Sequence, residues 1–221
     1  MRITNNVDHN FFKIETPASM YVAGFIAADG NVYQKELKYN SIKIDLSIKD
    51  KDHVLKLVNL LNYKNKIRES VYNFGYGKGK SHIAIQFSSK EMCDYLISIG
   101  ITPRKSLTLK WPNISNKYIS HFVRGYFDGD GSITFDKNLR INICGTYSFL
   151  SSLKQNFISI CNRDIGCICP DHNIWRLRYC GNISAKLFTD WIYKDSYNDI
   201  RLDRKYLRYL EFCNINGKNI N

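Results

Sequence analysis

Tyr21-Val22-Ala23-Gly24-Phe25-Ile26-Ala27-Ala28-Asp29-Gly30 returns further along the chain as Phe122-Val123-Arg124-Gly125-Tyr126-Phe127-Asp128-Gly129-Asp130-Gly131. Both copies end in an aspartate followed by glycine, and the two terminal aspartates stand 101 positions apart. The chain therefore reads as two similar halves, each presenting one carboxylate. Two equivalent carboxylates brought together across a pseudo-twofold axis make a site for divalent metal and for symmetric chemistry on a symmetric substrate. Duplex DNA, with its two antiparallel strands, is such a substrate.

Outward from the first copy, Thr16-Pro17 is a helix start, a hydroxyl N-cap followed by proline at the first helical position. A helix is predicted from there to about Asp29. Strands are predicted over 31–36 and 40–48. In the second of these Ile42, Ile44, Leu46 and Ile48 alternate with Ser41, Lys43, Asp45 and Ser47, giving one apolar and one polar face. Asp50-Lys51-Asp52 opens an amphipathic helix through Leu61. Strands follow at 66–74 and 81–88 around the turn Gly75-Tyr76-Gly77-Lys78-Gly79-Lys80, and a helix over 89–99 stops at Gly100. The second half repeats the order, with a helix from Ser115, strands at 132–136 and 139–145, a helix at 147–161, strands at 166–171 and 174–180, and a helix at 183–193.

The fold class is thus α+β: two pseudo-symmetric αββαββα halves, 1–101 and 114–221, each with a four-stranded antiparallel sheet. A linker over 102–113, with Pro103 and Pro112, joins them. Residues 1–10 and 214–221 are polar and are expected to be mobile ends.

Thirty-two Lys and Arg against twenty Asp and Glu give a net charge of +12. The excess is spread over both halves, 17 basic against 10 acidic residues before Pro112 and 15 against 10 after it. That balance suits a polyanion partner, since each neutralised phosphate releases counterions, although many basic proteins bind no nucleic acid. The seven cysteines are odd in number and lack any Cys-x-x-Cys spacing, which argues against a disulfide framework and against a zinc site. Apolar runs fall far short of a membrane span, and the N-terminus has no apolar signal core. The expected location is intracellular, at DNA, in the cytoplasm of a prokaryote or an organelle matrix.

A sheet with helices on one face leaves its other face free. Ser41, Lys43, Arg68, Ser70, Gln86, Arg140, Asn142, Arg176 and Arg178 are placed there because each alternates with residues that suit a core. Basic stems, hydroxyls and amides on a curved β-surface reach phosphates and base edges in the major groove, so the two sheets form a candidate DNA-binding saddle. The plainer reading is that alternating polar residues face water.

Gly24 and Ala28, and likewise Gly125 and Gly129, are small residues four apart on one helix face, a spacing that lets two helix backbones approach closely. Close packing would bring Asp29 and Asp130 together, with Gly30 and Gly131 ending the helices. A carboxylate at a helix C-terminus is disfavoured by the macrodipole, and its occurrence in both copies suggests compensation by metal.

Val22 to Gly30 and Val123 to Gly131 resemble the LAGLIDADG motif of homing endonucleases, in the double-motif, single-chain form. The resemblance covers nearly the whole chain. It implies that Asp29 and Asp130 are metal-binding catalytic carboxylates, with the main-chain carbonyls of Ala28 and Gly129 completing the shell around Mg²⁺ or Mn²⁺. It implies a site-specific double-strand endonuclease that hydrolyses both strands across the minor groove and leaves short 3′ overhangs. Its partner would be double-stranded DNA with a long asymmetric target, bound by a monomer. The sixth position is Ala27 in the first copy and Asp128 in the second, and it is not a metal ligand in the family. The resemblance also implies a basic residue near each scissile phosphate, matched here by Lys105 and Lys205 in Pro103-Arg104-Lys105-Ser106 and Asp203-Arg204-Lys205-Tyr206. The alternative is a non-cleaving nucleic-acid binder of the same fold, an intron RNA maturase or a DNA-binding regulator.

Gly79-Lys80-Ser81 is no phosphate-binding loop, because Phe74 stands where the first glycine belongs and the segment joins two strands. The five histidines show no ligand spacing. His82, on a strand, could contact DNA, but a surface or satisfied packing role is the plainer reading for it as for the others.

Overall fold

The computed structural model describes residues 6–35, 39–73, 78–197 and 200–217. Helix α1 (Pro17–Asp29) starts at a capping box: the Ser19 amide donates to Thr16 Oγ1 at 3.0 Å and the Thr16 amide to Ser19 Oγ at 2.8 Å. Every residue from Ser19 to Ala27 is buried, so α1 is a helix covered on all sides. Its counterpart α4 (Ile119–Asp130) begins later than expected, because a 3₁₀ turn over Asn116–Tyr118, capped by Ser115, precedes it.

Each motif helix runs without a loop into an edge strand. In the first half β1 (Gly30–Lys35), β2 (Tyr39–Ser47), α2 (Lys51–Leu60), β3 (Arg68–Val71), β4 (Ser81–Phe87) and α3 (Lys90–Ser98) follow. In the second, β5 (Gly131–Phe135), β6 (Leu139–Gly145), α5 (Tyr147–Cys161), β7 (Cys167–Asp171), β8 (Ile174–Cys180) and α6 (Asn182–Tyr193) follow in the same order. The two four-stranded sheets have equivalent orders, β1-β2-β4-β3 and β5-β6-β8-β7, and all neighbours are antiparallel. Ile42, Ile44 and Leu46 point with Ile83, Ile85 and Phe87 into the core of the first half; Leu139, Ile141 and Ile143 do so with Leu177 and Tyr179 in the second. Burying one such aliphatic side chain is worth about 1.5–3 kcal/mol, so the alternation fixes which face of each sheet the helices cover.

Four expectations are corrected. Residues 203–217 form an additional helix, α7 (Asp203–Gly217), which runs into the polar end that the sequence predicts over 214–221. Tyr206, Tyr209, Phe212 and Cys213 recur at helical spacing and pack on the core, with Phe212 edge-on to Phe135 at 5.4 Å and Tyr206 to Tyr193 at 5.1 Å. At the other end Val7 is buried, the Asp8 amide donates to the Leu61 carbonyl at 2.9 Å, and the Lys64 amide to that of Asn6 at 2.9 Å, so residues 6–10 are anchored. Strand β3 is shorter than the predicted 66–74, and Gly75, Tyr76 and Gly77 of the following turn lie outside the described residues. Finally, Gly30 and Gly131 cap their helices with extended backbone (φ −86° and −97°) rather than a left-handed turn. Glycine is required there for space: a Cβ on Gly30 would lie 2.6 Å from Ile26 Cα, and one on Gly131 2.5 Å from the Phe127 carbonyl oxygen. Among the described residues no helix is long and apolar enough to cross a membrane.

Candidate active site and nucleic-acid face

Helices α1 and α4 cross at their glycines. A Cβ on Gly24 would sit 1.9 Å from the Phe122 carbonyl oxygen, and one on Gly125 2.0 Å from that of Tyr21. One turn further on, Gly129 lies against the Ala28 methyl, and the point where its Cβ would stand is 3.4 Å from Asp29 Cγ. The small residues thus bring the acidic ends of both helices to one place. Asp29 and Asp130 line a single cavity of about 310 Å³ together with Ala28, Lys105, Ser106 and Tyr126.

The cavity disfavours charge. Burial raises the Asp29 carboxyl above the ordinary range, against the pull of Lys205 and Lys105. Burial, then the proximity of Asp29, pushes Asp130 up to about 6. Tyr126, whose hydroxyl donates to the Cys144 carbonyl at 2.9 Å, also reaches Asp130. The first copy has Phe25 at the matching position, so the two acids are not equivalent. Among the described residues no group of three or more His, Cys, Asp or Glu side chains is placed to hold a metal ion. Any cation here would draw on the two carboxylates and on main-chain oxygens.

The two lysines behave alike. Lys105 Nζ donates to the Gly30 carbonyl, and Lys205 Nζ to those of Phe127 (2.7 Å), Asp128 (2.7 Å) and Gly131 (2.5 Å). Each ammonium therefore sits on the C-terminal end of a motif helix, where unpaired carbonyls and the macrodipole favour a cation. Lys105 lines the cavity, whereas Lys205 is only 2% exposed and burial brings its pKa down to about 8. The Gly129 carbonyl lies 3.5 Å from Lys205 Nζ.

A polar network, not found from sequence, surrounds Lys205, buried at Asp128 and Arg124 and open to solvent at Arg204. Asp128 Oδ2 accepts from the Tyr21 hydroxyl and from the Leu202 amide, both at 2.7 Å. Arg124, fully buried, donates to the Ile200 and Ile192 carbonyls at 2.7 Å. Arg204 grips Asp50 with two hydrogen bonds (2.7 and 3.0 Å), and Lys56 pairs with Asp203 at 2.7 Å. The start of α7 is thus tied to both halves. The exchange of Ala27 for Asp128 between the two copies is the signal the sequence carries, and Asp128 accepts from Leu202 just before α7.

All nine residues assigned to the open sheet faces lie opposite the helices. Lys43 pairs across the strands with Gln86, Arg68 with Ala84, Ser70 with His82, Asn142 with Arg178, and Arg140 with Cys180, while Ser41 pairs with Tyr33. Arg176 and Arg178 stand opposite the buried Leu177 and Tyr179. Arg140 and Arg176 are ion-paired with Asp136 and Asp171. Asp45 and Tyr72 also belong to this face, Asp45 on the polar side of β2 that the alternation predicts.

No protein-family model matches the sequence, and no curated protein matches it. Solved structures do. The homing endonuclease I-WcaI bound to its DNA recognition sequence is similar over 93% of this chain and 95% of its own, with a TM-score of 0.63 at 14% identity. I-SmaMI bound to uncleaved DNA target in the presence of calcium ions is similar over 93% of each chain, with a TM-score of 0.56 at 16% identity. Full-length DUF199/WhiA from Thermatoga maritima is similar over 96% of this chain and 71% of its own, with a TM-score of 0.54 at 16% identity. At these identities the likeness is one of fold.

Proposed function

We propose that this chain, whose fold is that of the double-motif LAGLIDADG proteins, is a site-specific endonuclease. It acts as a monomer on a long asymmetric DNA target and cuts both strands across the minor groove to leave short 3′ overhangs. The observation that carries the reading is the meeting of Asp29 and Asp130, one from each half, in one cavity at the crossing of the motif helices. Support comes from the open sheet faces, whose lysines and arginines suit a phosphate backbone.

The donor set suits a hard divalent cation. Asp29 and Asp130, with the carbonyls of Ala28 and Gly129, would hold Mg²⁺ or Mn²⁺, and a buried pair of like-charged acids gains from such neutralisation. The ion supplies activation of water and stabilisation of the leaving 3′ oxygen. The chain's own residues do the rest. Lys105 and Lys205 supply positive potential to the reacting phosphate from the two helix ends. Tyr126 orients Asp130, and the sheets hold the duplex over the cavity. The halves span 1–101 and 114–221 with 102–113 as linker, and the role is homing of an intron or a free-standing element, in a prokaryotic cytoplasm or an organelle.

The test is incubation of a plasmid library carrying candidate insertion sites with the chain and Mg²⁺. Linearisation of one plasmid class is expected, and failure to cut any site, including the locus interrupted by its gene, removes the reading. One observation favours a second reading, a nucleic-acid binder without cleavage: the Lys205 amine is occupied by main-chain carbonyls. Sequence-selective binding with no nicking in Mg²⁺ or Mn²⁺ would establish that alternative.

A further inference from the structure

The open face of the first sheet carries a hydrogen-bonded chain that the reaction above does not use. Ser70 on β3 pairs with His82 on β4, and Ser70 Oγ lies 2.8 Å from His82 Nε2. The other ring nitrogen, Nδ1, lies 2.6 Å from Asp45 Oδ1 on β2. Tyr72 stacks on the imidazole, centroids 3.8 Å apart and planes within 10°, and its hydroxyl donates to the same Oδ1 at 3.0 Å. Lys43 Nζ takes Oδ2 at 2.7 Å.

With the His82 ring neutral, these contacts fix where the hydrogens are. Burial pushes the Asp45 carboxyl up, but the hydrogen bonds from Lys43, His82 and Tyr72 outweigh it and hold the group below its ordinary range. Asp45 is therefore a carboxylate, which only accepts. His82 Nδ1 must carry the hydrogen, and in the neutral ring Nε2 is then an acceptor. Ser70 gives its single hydrogen to Nε2, which leaves only lone pairs on its exposed hydroxyl oxygen. A freely rotating serine hydroxyl can serve either kind of base edge. This one is locked.

On the reading of the chain as a DNA-binding protein, we infer that Ser70 is a specificity-determining residue that accepts a hydrogen bond from an exocyclic amine, N4 of cytosine or N6 of adenine, in the major groove. Asp45 and His82 are its positioning residues. Gly30, which follows Asp29, pairs with Ile44, so Asp45 and its partners stand at the active-site end of the sheet. The base pair they read is among the innermost of its half-site. The same hydrogen-bond order serves nucleophilic serines in hydrolases. Here, however, the serine stands on an exposed strand, outside the cavity lined by Asp29 and Asp130.

The experiment is binding-site selection from a randomised duplex library with the full chain, Ca²⁺ replacing Mg²⁺. It compares wild type with Ser70→Ala, Ser70→Thr and Asp45→Ala, each checked for an unchanged melting transition. Wild type is expected to prefer one base pair at one inner position by about tenfold, the size of one hydrogen bond, and to lose that preference when the adenine or cytosine of the pair is replaced by its analogue without the exocyclic amine (purine or 2-pyrimidinone). Ser70→Ala should lose that preference at that position alone, and Ser70→Thr should keep it. Asp45→Ala should flatten the same position although Ser70 remains. The inference is overturned if the analogue without the amine binds as tightly as the natural pair, if Ser70→Ala weakens all sites equally, or if Asp45→Ala leaves the preference intact. A wild-type chain that selects no sequence would instead remove the DNA-binding reading itself, and this inference with it.

Discussion

Gly24 and Gly125 stand at equivalent points of two helices, and each faces the carbonyl of the residue that opens the other copy of the motif. A methyl at Gly24 would fall 1.9 Å from the oxygen of Phe122, and one at Gly125 2.0 Å from that of Tyr21. The neighbours are main chain and cannot turn aside as a flexible side chain would. Gly24→Ala and Gly125→Ala should therefore force α1 and α4 apart, at a cost of about 1–3 kcal/mol or more. Because Asp29 and Asp130 end the same helices, cleavage should fall further than stability does. Thermal unfolding and cleavage assays on each variant measure both effects, and an alanine chain that melts and cuts like wild type would contradict the close crossing.

The carboxylates allow a sharper separation of binding from chemistry. Asp29→Asn and Asp130→Asn should each abolish double-strand cleavage while leaving DNA affinity unchanged or tighter, because a charge that repels phosphate is gone. Gel mobility with Ca²⁺ and cleavage with Mg²⁺ report the two properties. Double-strand breaks at the wild-type rate from either variant would exclude a mechanism that needs both acids.

Much of the fold was legible in the sequence because period and punctuation agree. Thr16-Pro17 starts α1, and the alternation of Ile42, Ile44 and Leu46 with Ser41, Lys43 and Asp45 sets the faces of β2. Helix α7 was not legible, since Tyr206, Tyr209 and Phe212 are spaced among charged residues and become apolar contacts only when the core is in place. The lysines were reached only through the family resemblance, and their partners were not reached at all: main-chain carbonyls leave no mark in a sequence. The same holds for Asp45, His82 and Ser70, which are distant in sequence and meet only through strand register.

His53 and His121 are buried, and burial brings both imidazoles down to about 4. His53 Nε2 is 3.2 Å from the Tyr21 hydroxyl, and its Nδ1 has no hydrogen-bond partner among the described residues. Each ring is neutral in the fold and titrates near 6.5 when unfolded, so the unfolded chain binds more protons between those values. Their contribution is complete above about pH 6.5 and is lost as pH falls toward 4, on the order of 3 kcal/mol for each. Asp128 and Asp130, raised to about 6 by burial, carry the opposite slope, so the informative measurement is a difference. The melting temperature of His53→Gln relative to wild type should rise steadily from pH 7 to pH 5. A constant offset would mean that the ring is not held neutral.

Arg178 differs from its neighbours on the second sheet. Arg140 and Arg176 are held by Asp136 and Asp171, whereas Arg178 has no ion pair among the described residues and faces Asn142 across the strands. An arginine without an acidic partner keeps its guanidinium fork for a ligand, and the fork matches O6 and N7 of guanine. Arg178→Ala should weaken the preferred site by about 1–3 kcal/mol and relax selection at one or two base pairs. Lys43 on the first sheet offers a point charge rather than a fork, so Lys43→Ala should weaken all sites more nearly alike and reduce the salt slope by less than one unit, because Asp45 already takes part of that charge. Competition binding over a panel of single-base variants, repeated at two salt concentrations, separates the two. If Arg178→Ala lowers every site equally, the arginine contacts phosphate, and base readout in this half lies elsewhere on the sheet.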